Sequence, residues 1–276
     1  MSDIEYISDH GRILLRQHHL DSFDALWHFE QDSWYEPPNY RRGGWSGVSK
    51  TKLTMPDGSM VGLFIKRQEN HVYHSWQHFF RPMATFEREY RNILAFQQFE
   101  IPTLDLVYFG QRKVNGKLRA IFITRELTGY QSLDALMASK PFSRPTKAKL
   151  FASVAEAMRA MHAQHFQHNC LYPKHLFISE QALGGFDARF IDLEKAKRWP
   201  FKRNVALRDL GTLHRHTENL SRTDRLRFFL AYWQESRLNN QSKKMLVALT
   251  KKKVRLNIAP MLNDIGDLPP QLQDAA

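Results

Sequence analysis

The sequence of 276 residues has a single cysteine, Cys170. One cysteine excludes an intramolecular disulfide framework and any zinc site built on several cysteines, and it is typical of a reducing compartment. The first ten residues, MSDIEYISDH, are acidic and polar where a signal peptide would be basic and then apolar. We therefore expect a cytoplasmic protein.

Long apolar runs are also missing, because no stretch approaches the roughly 20 residues that a transmembrane helix needs. Any membrane contact is therefore expected to be peripheral. Acidic residues are scarce relative to basic ones, with 28 Asp and Glu against 40 Lys and Arg and a formal net charge of +12. This balance favours anionic partners such as nucleotide phosphates or a phosphorylated glycolipid. The sequence has no recognised nucleic-acid-binding motif, so we expect no nucleic acid partner.

Apolar and aromatic residues are plentiful, with 42% hydrophobic residues and 19 Phe, which is enough for a large core. In the first half, β-prone runs flank turns at 56–58 and 115–116, and Thr85 to Phe99 shows helical periodicity. The second half is helical in pattern, including a long helix from Pro145 to about His165. Ser22 is expected to cap a short helix that Pro37 and Pro38 then end.

This order of elements predicts an α+β fold with two lobes, a small antiparallel β-sheet lobe with one helix and a larger, mainly helical lobe. The predicted boundaries are an N-terminal extension at 1–36, the first lobe at 37–127, the second lobe at 128–262 and a polar tail at 263–276.

A histidine-rich and aromatic insertion spans 71–83. Its three histidines could bind a metal, but a basic aromatic surface patch is the favoured interpretation; they are His71, His74 and His78.

The segment 41–48, RRGGWSGV, is glycine-rich and begins the first hairpin. Gly43, Gly44 and Gly47 would let backbone N–H groups approach phosphates, although such a cluster is also typical of an ordinary turn. Lys66 is predicted to end the strand after this turn, where it would reach the nucleotide phosphates.

A glutamate on the following helix is expected to pair with Lys66. Two candidates, Glu87 and Glu89, point about 200° apart on a helix of 3.6 residues per turn, and the apolar face does not decide between them. The Arg88-Glu89-Tyr90 context favours Glu89.

Two segments carry the strongest functional signal: HNCLYPKHLFI at 168–178 and ARFIDLEKA at 188–196. A kinase catalytic loop reads His-x-Asp, four residues and Asn, and a second Asp on the next strand holds Mg²⁺. Here Cys170 stands in the Asp position, His175 in the Asn position, and Asp192 in the metal position.

The neighbours of these residues have more than one interpretation. Glu194 could supply a second carboxylate or be a solvated side chain. His168 is expected to brace the loop backbone, and Asp209 to anchor that loop or to face a helix dipole. A less favoured alternative makes Cys170 a nucleophile with His168 or His175 as its base.

From about Tyr40 to Glu218 the chain resembles the lipopolysaccharide kinase superfamily of Kdo and heptose kinases, and most closely its InaA-like branch. The matching segments are RRGGWSGV, FIK at 64–66, REYRNI at 88–93, HNCLYPKHLFI, FIDLEKA at 190–196 and RDLGTLHRH at 208–216. The Asp-Leu-Glu sequence also looks like that of small-molecule kinases such as the aminoglycoside phosphotransferases. The resemblance implies a protein-kinase-like fold that uses ATP with Mg²⁺.

The resemblance also implies roles for individual residues. Those expected to bind the nucleotide are Gly43, Gly44, Gly47, Lys66 and His175; Glu89 would orient Lys66, and Asp192 with Glu194 would ligate Mg²⁺. The implied acceptor is an inner-core sugar of lipopolysaccharide, an anionic glycolipid, at the cytoplasmic face of the inner membrane. The basic insertion at 71–81 and a basic helix at 243–255 would hold it.

Cys170 departs from the proton-accepting Asp of the active kinases. Two hypotheses therefore lead, and a nucleic-acid binder, suggested only by the basic charge, is a weaker third. The first is an ATP-dependent phosphotransferase that phosphorylates a lipopolysaccharide sugar alcohol. The second is a pseudokinase that binds nucleotide and acts as a regulatory or stress-response interaction module.

Overall fold

The computed structural model of the protein describes residues 3–29, 34–41, 43–74, 82–200, 205–217 and 220–251. The described residues form two compact units. The first contains residues up to 97 together with 103–128, and the second contains residues 98–102 together with the chain from 129 onwards. The β-rich character of the first unit and the helical character of the second confirm the predicted α+β class.

The first unit is built mainly from β-strands. In chain order its elements are β1 (Ile4–Ile7), α1 (Asp9–Gln17), α2 (Phe23–His28), β2 (Trp34–Arg41), β3 (Gly44–Thr54), β4 (Met60–Glu69), β5 (Val72–His74), β6 (Pro82–Ala84), α3 (Thr85–Gln98), β7 (Leu106–Val114) and β8 (Lys117–Arg125). Among the described residues, six strands form an antiparallel sheet in the order β1-β7-β8-β4-β3-β2.

The two predicted hairpin turns are confirmed. Between β3 and β4, Gly58 has φ +82° and Asp57 accepts hydrogen bonds from the backbone N–H and hydroxyl of Ser59. Between β7 and β8, Asn115 and Gly116 have φ of +49° and +80°. Positive φ at both positions gives the turn the twist that adjacent antiparallel strands require.

The N-terminal residues are part of the first unit. Strand β1 pairs with β7, with Ile4 opposite Gln111. Helices α1 and α2 supply part of one hydrophobic core, whose buried members include Leu14, Leu15, Phe23, Leu26, Leu63, Ile65, Ile121 and Ile123. On α2 the predicted cap is confirmed, because the Ser22 hydroxyl accepts from the Ala25 N–H at 3.1 Å.

A buried arginine joins α2 to the sheet. Arg67 on β4 is 6% exposed, and its guanidinium donates to the carbonyls of Leu26 and Phe29 at 2.7–3.1 Å. It therefore satisfies carbonyls that the end of α2 leaves without helical partners.

The prediction that prolines end this helix was wrong, since α2 ends at His28 while Pro37 and Pro38 lie in β2. That strand is at the sheet edge, where a residue without an N–H is tolerated.

The second unit is mainly helical. Its elements are β9 (Gln131–Ser132), α4 (Leu133–Ser139), α5 (Arg144–Ala163), β10 (Phe166–Gln167), β11 (Leu176–Glu180), β12 (Phe186–Phe190), β13 (Lys197–Arg198), α6 (Ala206–Arg215), α7 (Arg222–Trp233) and α8 (Asn240–Lys251). Strands β11 and β12 form an antiparallel hairpin, and β9 pairs with β11. None of the described helices is both long and apolar enough to cross a bilayer.

The core of the second unit is centred on α5. Ser143 caps this helix, and Pro145 lies in its first turn, where a missing N–H costs no hydrogen bond. The predicted long helix is confirmed, and its inward face consists of buried residues: Leu150, Val154, Ala157, Met158 and Met161. Helix α7 ends at Trp233, because Gln234 adopts a left-handed conformation with φ +57° and stops it.

Candidate functional site

A partly buried ion pair lies on one face of the sheet in the first unit. Lys66 on β4 lies opposite Val48 on β3 and Phe122 on β8. Its Nζ is 3.0 Å from both carboxylate oxygens of Glu89 on α3, and the side chains are 23% and 4% exposed. We call Lys66 and Glu89 the lysine–glutamate pair.

The choice between the two glutamates is visible in the contacts. Glu87 accepts hydrogen bonds from Arg91 at 2.6 Å and from Gln111 at 3.0 Å. Its oxygens therefore bind an arginine of its own helix and a glutamine of β7. Of the two glutamates, Glu89 is the one that pairs with Lys66.

Lys66 does not end its strand, contrary to the prediction, because β4 continues to Glu69. Strand alternation places Lys66 and Arg67 on opposite faces of the sheet. Arg67 faces α2, whereas Lys66 faces α3, and its Nζ lies 5.2 Å from the centroid of the Phe122 ring. The amine is thus held between a carboxylate and an aromatic ring.

The three glycines of the first hairpin have structural requirements of their own. Gly43 has φ +75°, a conformation that side chains with a Cβ rarely adopt. A Cβ on Gly44 would overlap the carbonyl oxygen of Glu69, and a Cβ on Gly47 would lie 2.6 Å from the Trp34 ring. Tight turning and close packing account for these glycines, so their role in phosphate binding stays a prediction.

In the second unit, a buried carboxylate holds the loop at residues 168–175 by its backbone. Asp209 on α6 is 0% exposed, and it accepts from the backbone N–H groups of His168 at 2.7 Å and Asn169 at 2.9 Å. We call residues 168–175 the clamped loop. Asn169 has φ +67°, and its side-chain amide donates to the carbonyl of Lys195.

His168 braces the backbone that precedes Asp192. Its Nε2 lies 3.0 Å from the carbonyl oxygen of Ile191, which accepts, so Nε2 carries the hydrogen. Burial lowers the pKa of His168, although the charge of Asp209 acts in the opposite direction. The ring is therefore neutral and serves as a structural donor.

The His175 ring contacts the backbone of Cys170 on one side and the side chain of Asp192 on the other. Cys170 is partly exposed, and its carbonyl accepts from Nδ1 of His175 at 2.8 Å. On the other side of the same ring, Nε2 of His175 is 3.3 Å from Oδ2 of Asp192. Asp192 has φ +58°, and its side chain is 46% exposed.

Glu194 lies on a short 3-10 turn, Leu193–Lys195, directly after Asp192. Within the ranges that the structure describes, no three His, Cys, Asp or Glu side chains are grouped closely enough to hold a metal ion. A divalent ion at Asp192 would commonly have water and phosphate oxygens among its ligands.

The sequence interpretation missed one supporting residue. His162 on α5 lies 3.3 Å from Oδ2 of Asp209 and 2.8 Å from the hydroxyl of Tyr232. The available signal was its place beside Met158 and Met161 on the inward face of α5.

The predicted histidine patch lies largely outside the described residues. His71 Nδ1 contacts the hydroxyl of Thr85, and the structure does not describe His78 or the His74 side chain.

A β-rich unit with a lysine–glutamate pair and a helical unit with a clamped loop together define a kinase-like protein. The profile of the lipopolysaccharide kinase (Kdo/WaaP) family matches residues 24–232, more than half of the chain. The chain therefore belongs to this family.

One curated relative supports this assignment, and one solved structure shares the fold. Protein InaA of Escherichia coli (strain K12) is 31% identical over 208 residues, which cover 74% of this chain and 92% of that protein. The solved structure described as WaaP in complex with acyl carrier protein has a TM-score of 0.60 at 18% identity, covering 92% of this chain and 99% of that one. At this identity the structural likeness shows the fold alone.

Proposed function

We propose that this protein transfers the γ-phosphoryl group of ATP to a hydroxyl of a lipopolysaccharide inner-core sugar. The observation that carries the proposal is the lysine–glutamate pair, formed between a sheet strand and the next helix in a member of this family. In kinases such a pair presents the amine to the α- and β-phosphates, so its formation accompanies the active arrangement.

The other site residues have roles that fit this chemistry. Glu89 would hold Lys66 in place, and Asp209 with His168 would fix the clamped loop. The nitrogen and oxygen donors of His175 and Asp192 fit a divalent ion, Mg²⁺ in the simplest case. When bound, such an ion neutralises charge on the β- and γ-phosphates.

Cys170 occupies the position from which a kinase aspartate accepts the proton of the acceptor hydroxyl. A thiol accepts a hydrogen bond more weakly than a carboxylate does. Because phosphoryl transfer depends mainly on positioning and electrostatics, we expect the native enzyme to be slow rather than inactive.

The proposed acceptor and location follow from charge and family. A formal net charge of +12 favours an anionic glycolipid at an anionic membrane surface. We propose peripheral binding at the cytoplasmic face of the inner membrane, where lipopolysaccharide core sugars would be accessible.

Cys170 also favours a second candidate function. A protein that keeps the lysine–glutamate pair but lacks the usual proton acceptor could bind nucleotide without transferring phosphate. It would then act as a regulatory or stress-response interaction module.

One experiment separates the two functions. The native protein is incubated with ATP, Mg²⁺ and lipopolysaccharide stripped of its core phosphates, and phosphate transfer is followed by mass spectrometry. We expect slow transfer that Asp192→Ala abolishes and that the matched surface variant Asp134→Asn keeps. Nucleotide-dependent thermal stabilisation without transfer would favour the pseudokinase, and absence of both would contradict the two proposals.

A further inference from the structure

An open pocket lies in the first unit, at the end of the sheet where β2 turns into β3. Its volume is about 550 Å³, which is within the range of small-molecule binding sites. We call it the tip pocket. Beside the glycines of the turn, the residues that line it are Tyr40, Arg41, Trp45, Glu69, Asn70 and Lys117.

The tip pocket lies on the face of the sheet opposite to the lysine–glutamate pair. Strand pairing sets Tyr40 opposite Trp45 and Trp45 opposite Glu69, and directly paired residues share a face. Glu69 is three positions after Lys66 on β4, so the two side chains point to opposite faces. The contacts agree, because the Trp45 ring packs 5.8 Å from the Trp27 ring of α2, whereas the lysine–glutamate pair faces α3. The pocket is therefore separate from Lys66.

The pocket carries an excess of positive charge. Glu69 accepts from Lys117 at 2.9 Å and from Arg119 at 2.8 Å. Burial acts to raise the pKa of Glu69, but the hydrogen bonds and charges of these two cations outweigh it and lower the pKa. The carboxylate is therefore ionised and already bound. Arg41 is exposed, and within the described ranges its guanidinium has no ion-pair partner.

Asn70 adds a polar group in a fixed orientation. Its backbone N–H donates to the carbonyl of Leu118 at 2.8 Å, and its side-chain Oδ1 accepts from the Leu118 N–H at 2.9 Å. Because Oδ1 is used towards β8, the side chain has its Nδ2 amide left to offer a ligand. Lys117 has a side chain that is 55% exposed, so it also remains accessible. The pocket thus offers mainly hydrogen-bond donors, which suit a ligand rich in oxygen acceptors.

Two aromatic rings give the pocket an apolar side. Tyr40 is 77% exposed, and Trp45 beside it is partly exposed. The indole of Trp45 is positioned by two other indoles, with ring centroids 5.8 Å from Trp27 and 6.1 Å from Trp34. Aromatic rings of this kind offer a flat apolar surface next to polar groups. A sugar ring presents a matching apolar face through its C–H bonds, while its hydroxyls point outward.

We propose that the tip pocket binds a phosphorylated saccharide. Arg41 and Lys117 bind the phosphate, as guanidinium and ammonium groups commonly do. Asn70 donates to a sugar hydroxyl, and the sugar ring packs against Tyr40 and Trp45. The site is additional to the proposed phosphotransferase site, and its binding of ligand does not depend on that function.

The test follows the pocket through one of its own side chains. The protein has six tryptophans, and it is labelled with 5-fluorotryptophan so that each gives a fluorine NMR signal. The Trp45 signal is assigned from its absence in Trp45→Phe. Glucose 6-phosphate is the probe, and glucose and inorganic phosphate are compared with it. The variants are Arg41→Gln and Tyr40→Ala, and Arg222→Gln, an exposed arginine of the second unit, is the matched charge control.

We expect glucose 6-phosphate to shift the Trp45 signal in a saturable way, with glucose and inorganic phosphate binding at least about tenfold more weakly. Affinity for glucose 6-phosphate should fall by about tenfold in Arg41→Gln and about fivefold in Tyr40→Ala, and should stay near the native value in Arg222→Gln. Absence of saturable binding would overturn the proposal. Equal binding of inorganic phosphate, or an unchanged affinity in Arg41→Gln or Tyr40→Ala, would overturn it as well.

A competition experiment separates the tip pocket from the nucleotide site. A saturating non-hydrolysable ATP analogue should leave the binding of glucose 6-phosphate unchanged. Displacement by the analogue would overturn the proposal, because the pocket would then bind the nucleotide. Binding of glucose 6-phosphate through Arg41, in a protein that neither binds the analogue nor transfers phosphate, would support the pocket and contradict both proposed functions.

The source of the saccharide is decided by a second competitor. Core oligosaccharide released from lipopolysaccharide is added with its phosphates, and again after their removal. Displacement of glucose 6-phosphate by the phosphorylated form alone would identify the glycolipid core as the source. Failure of both forms to displace it would identify a free sugar phosphate, and the site is supported in either case. Displacement by both forms equally would contradict the role of the phosphate.

Discussion

The lysine–glutamate pair and the clamped loop are both held by a buried carboxylate, but the two carboxylates bind different parts of the chain. Glu89 binds the side chain of Lys66, so that arrangement needs two particular residues. Asp209 binds backbone N–H groups at positions 168 and 169, which nearly every residue type supplies. These two hydrogen bonds therefore do not depend on the side chain at position 170, so the clamp can persist with a cysteine in place of an aspartate there.

The largest effect should follow from removing the clamp. Asp209→Ala deletes both acceptors and leaves the buried N–H of His168 and the partly buried N–H of Asn169 without partners, so we expect the free energy of unfolding to fall by about 3–5 kcal/mol. Urea unfolding measures the loss, and hydrogen exchange should show faster exchange of the amides of His168 and Asn169. Asp209→Asn keeps an acceptor and should lose less. Native-like stability in Asp209→Ala would contradict the clamp.

The next largest effect is expected when the aspartate of active kinases is restored at position 170 of the clamped loop. Cys170→Asp restores a carboxylate that can accept the proton of the sugar hydroxyl, and we expect phosphate transfer to rise by about 100-fold. The unfolding midpoint should change little, because Asp209 fixes the backbone. Cys170→Ser, which is polar but uncharged, is the control and should give no comparable gain. A Cys170→Asp protein that folds normally and gains no activity would show that something other than the missing carboxylate limits the reaction.

A third prediction concerns His214, which lies on α6 with Asp209. Burial, with the positive charges of Arg225 and Arg215, lowers the pKa of His214 to about 3 from 6.5. In the unfolded chain His214 is protonated below about pH 6.5, whereas in the folded chain it stays neutral down to about pH 3. The free energy of unfolding therefore decreases as the pH falls from 6.5 to 3. The loss at pH 5 should be about 2 kcal/mol.

His214→Gln tests this pH dependence. In the native protein Arg225 Nη1 lies 3.0 Å from His214 Nε2. The glutamine side chain supplies an acceptor for Nη1 in place of Nε2 and removes the titrating group. We expect a shallower loss of stability between pH 7 and pH 5 than in the native protein, measured by denaturant unfolding at each pH. Identical slopes in the two proteins would contradict the prediction.

The smallest stability effect is expected in the first unit. Glu89→Gln keeps a hydrogen-bond acceptor for Lys66, whose side chain is 23% exposed, so we expect a loss of about 1 kcal/mol or less. Nucleotide affinity should fall by about tenfold, because one hydrogen bond to a charged group is weakened. Calorimetric titration with ATP measures this, and Glu87→Gln should leave ATP affinity near the native value. Equal losses of ATP affinity in both variants would contradict the claim that Glu89, and not Glu87, positions Lys66.

The features that the sequence predicted well are local ones. The turns at 56–58 and 115–116 and the long helix α5 depend on residues within a few positions of one another. The partner of Lys66 was harder to predict, because Glu87 and Glu89 are both buried and only the positions of Arg91 and Gln111 separate them.

Long-range pairing accounts for most of what was missed. Strand β1 is four residues long, and its partners on β7 lie about a hundred positions away. The contact between His162 and Asp209 likewise joins α5 to α6 across 47 positions. No local pattern distinguishes such a histidine from an ordinary core residue.

The packing of α1 and α2 sets a practical boundary for the folding unit. The family match begins at residue 24, so a fragment trimmed to it would lack β1, α1 and the first residue of α2. Strand β7 would become an open sheet edge, and the apolar surface that Leu14 and Leu15 cover would face water. Aggregation of such a fragment would result from the loss of β1 and α1 and would not indicate a defect of the kinase-like fold. We therefore expect that a stable fragment must begin before the segment that matches the family.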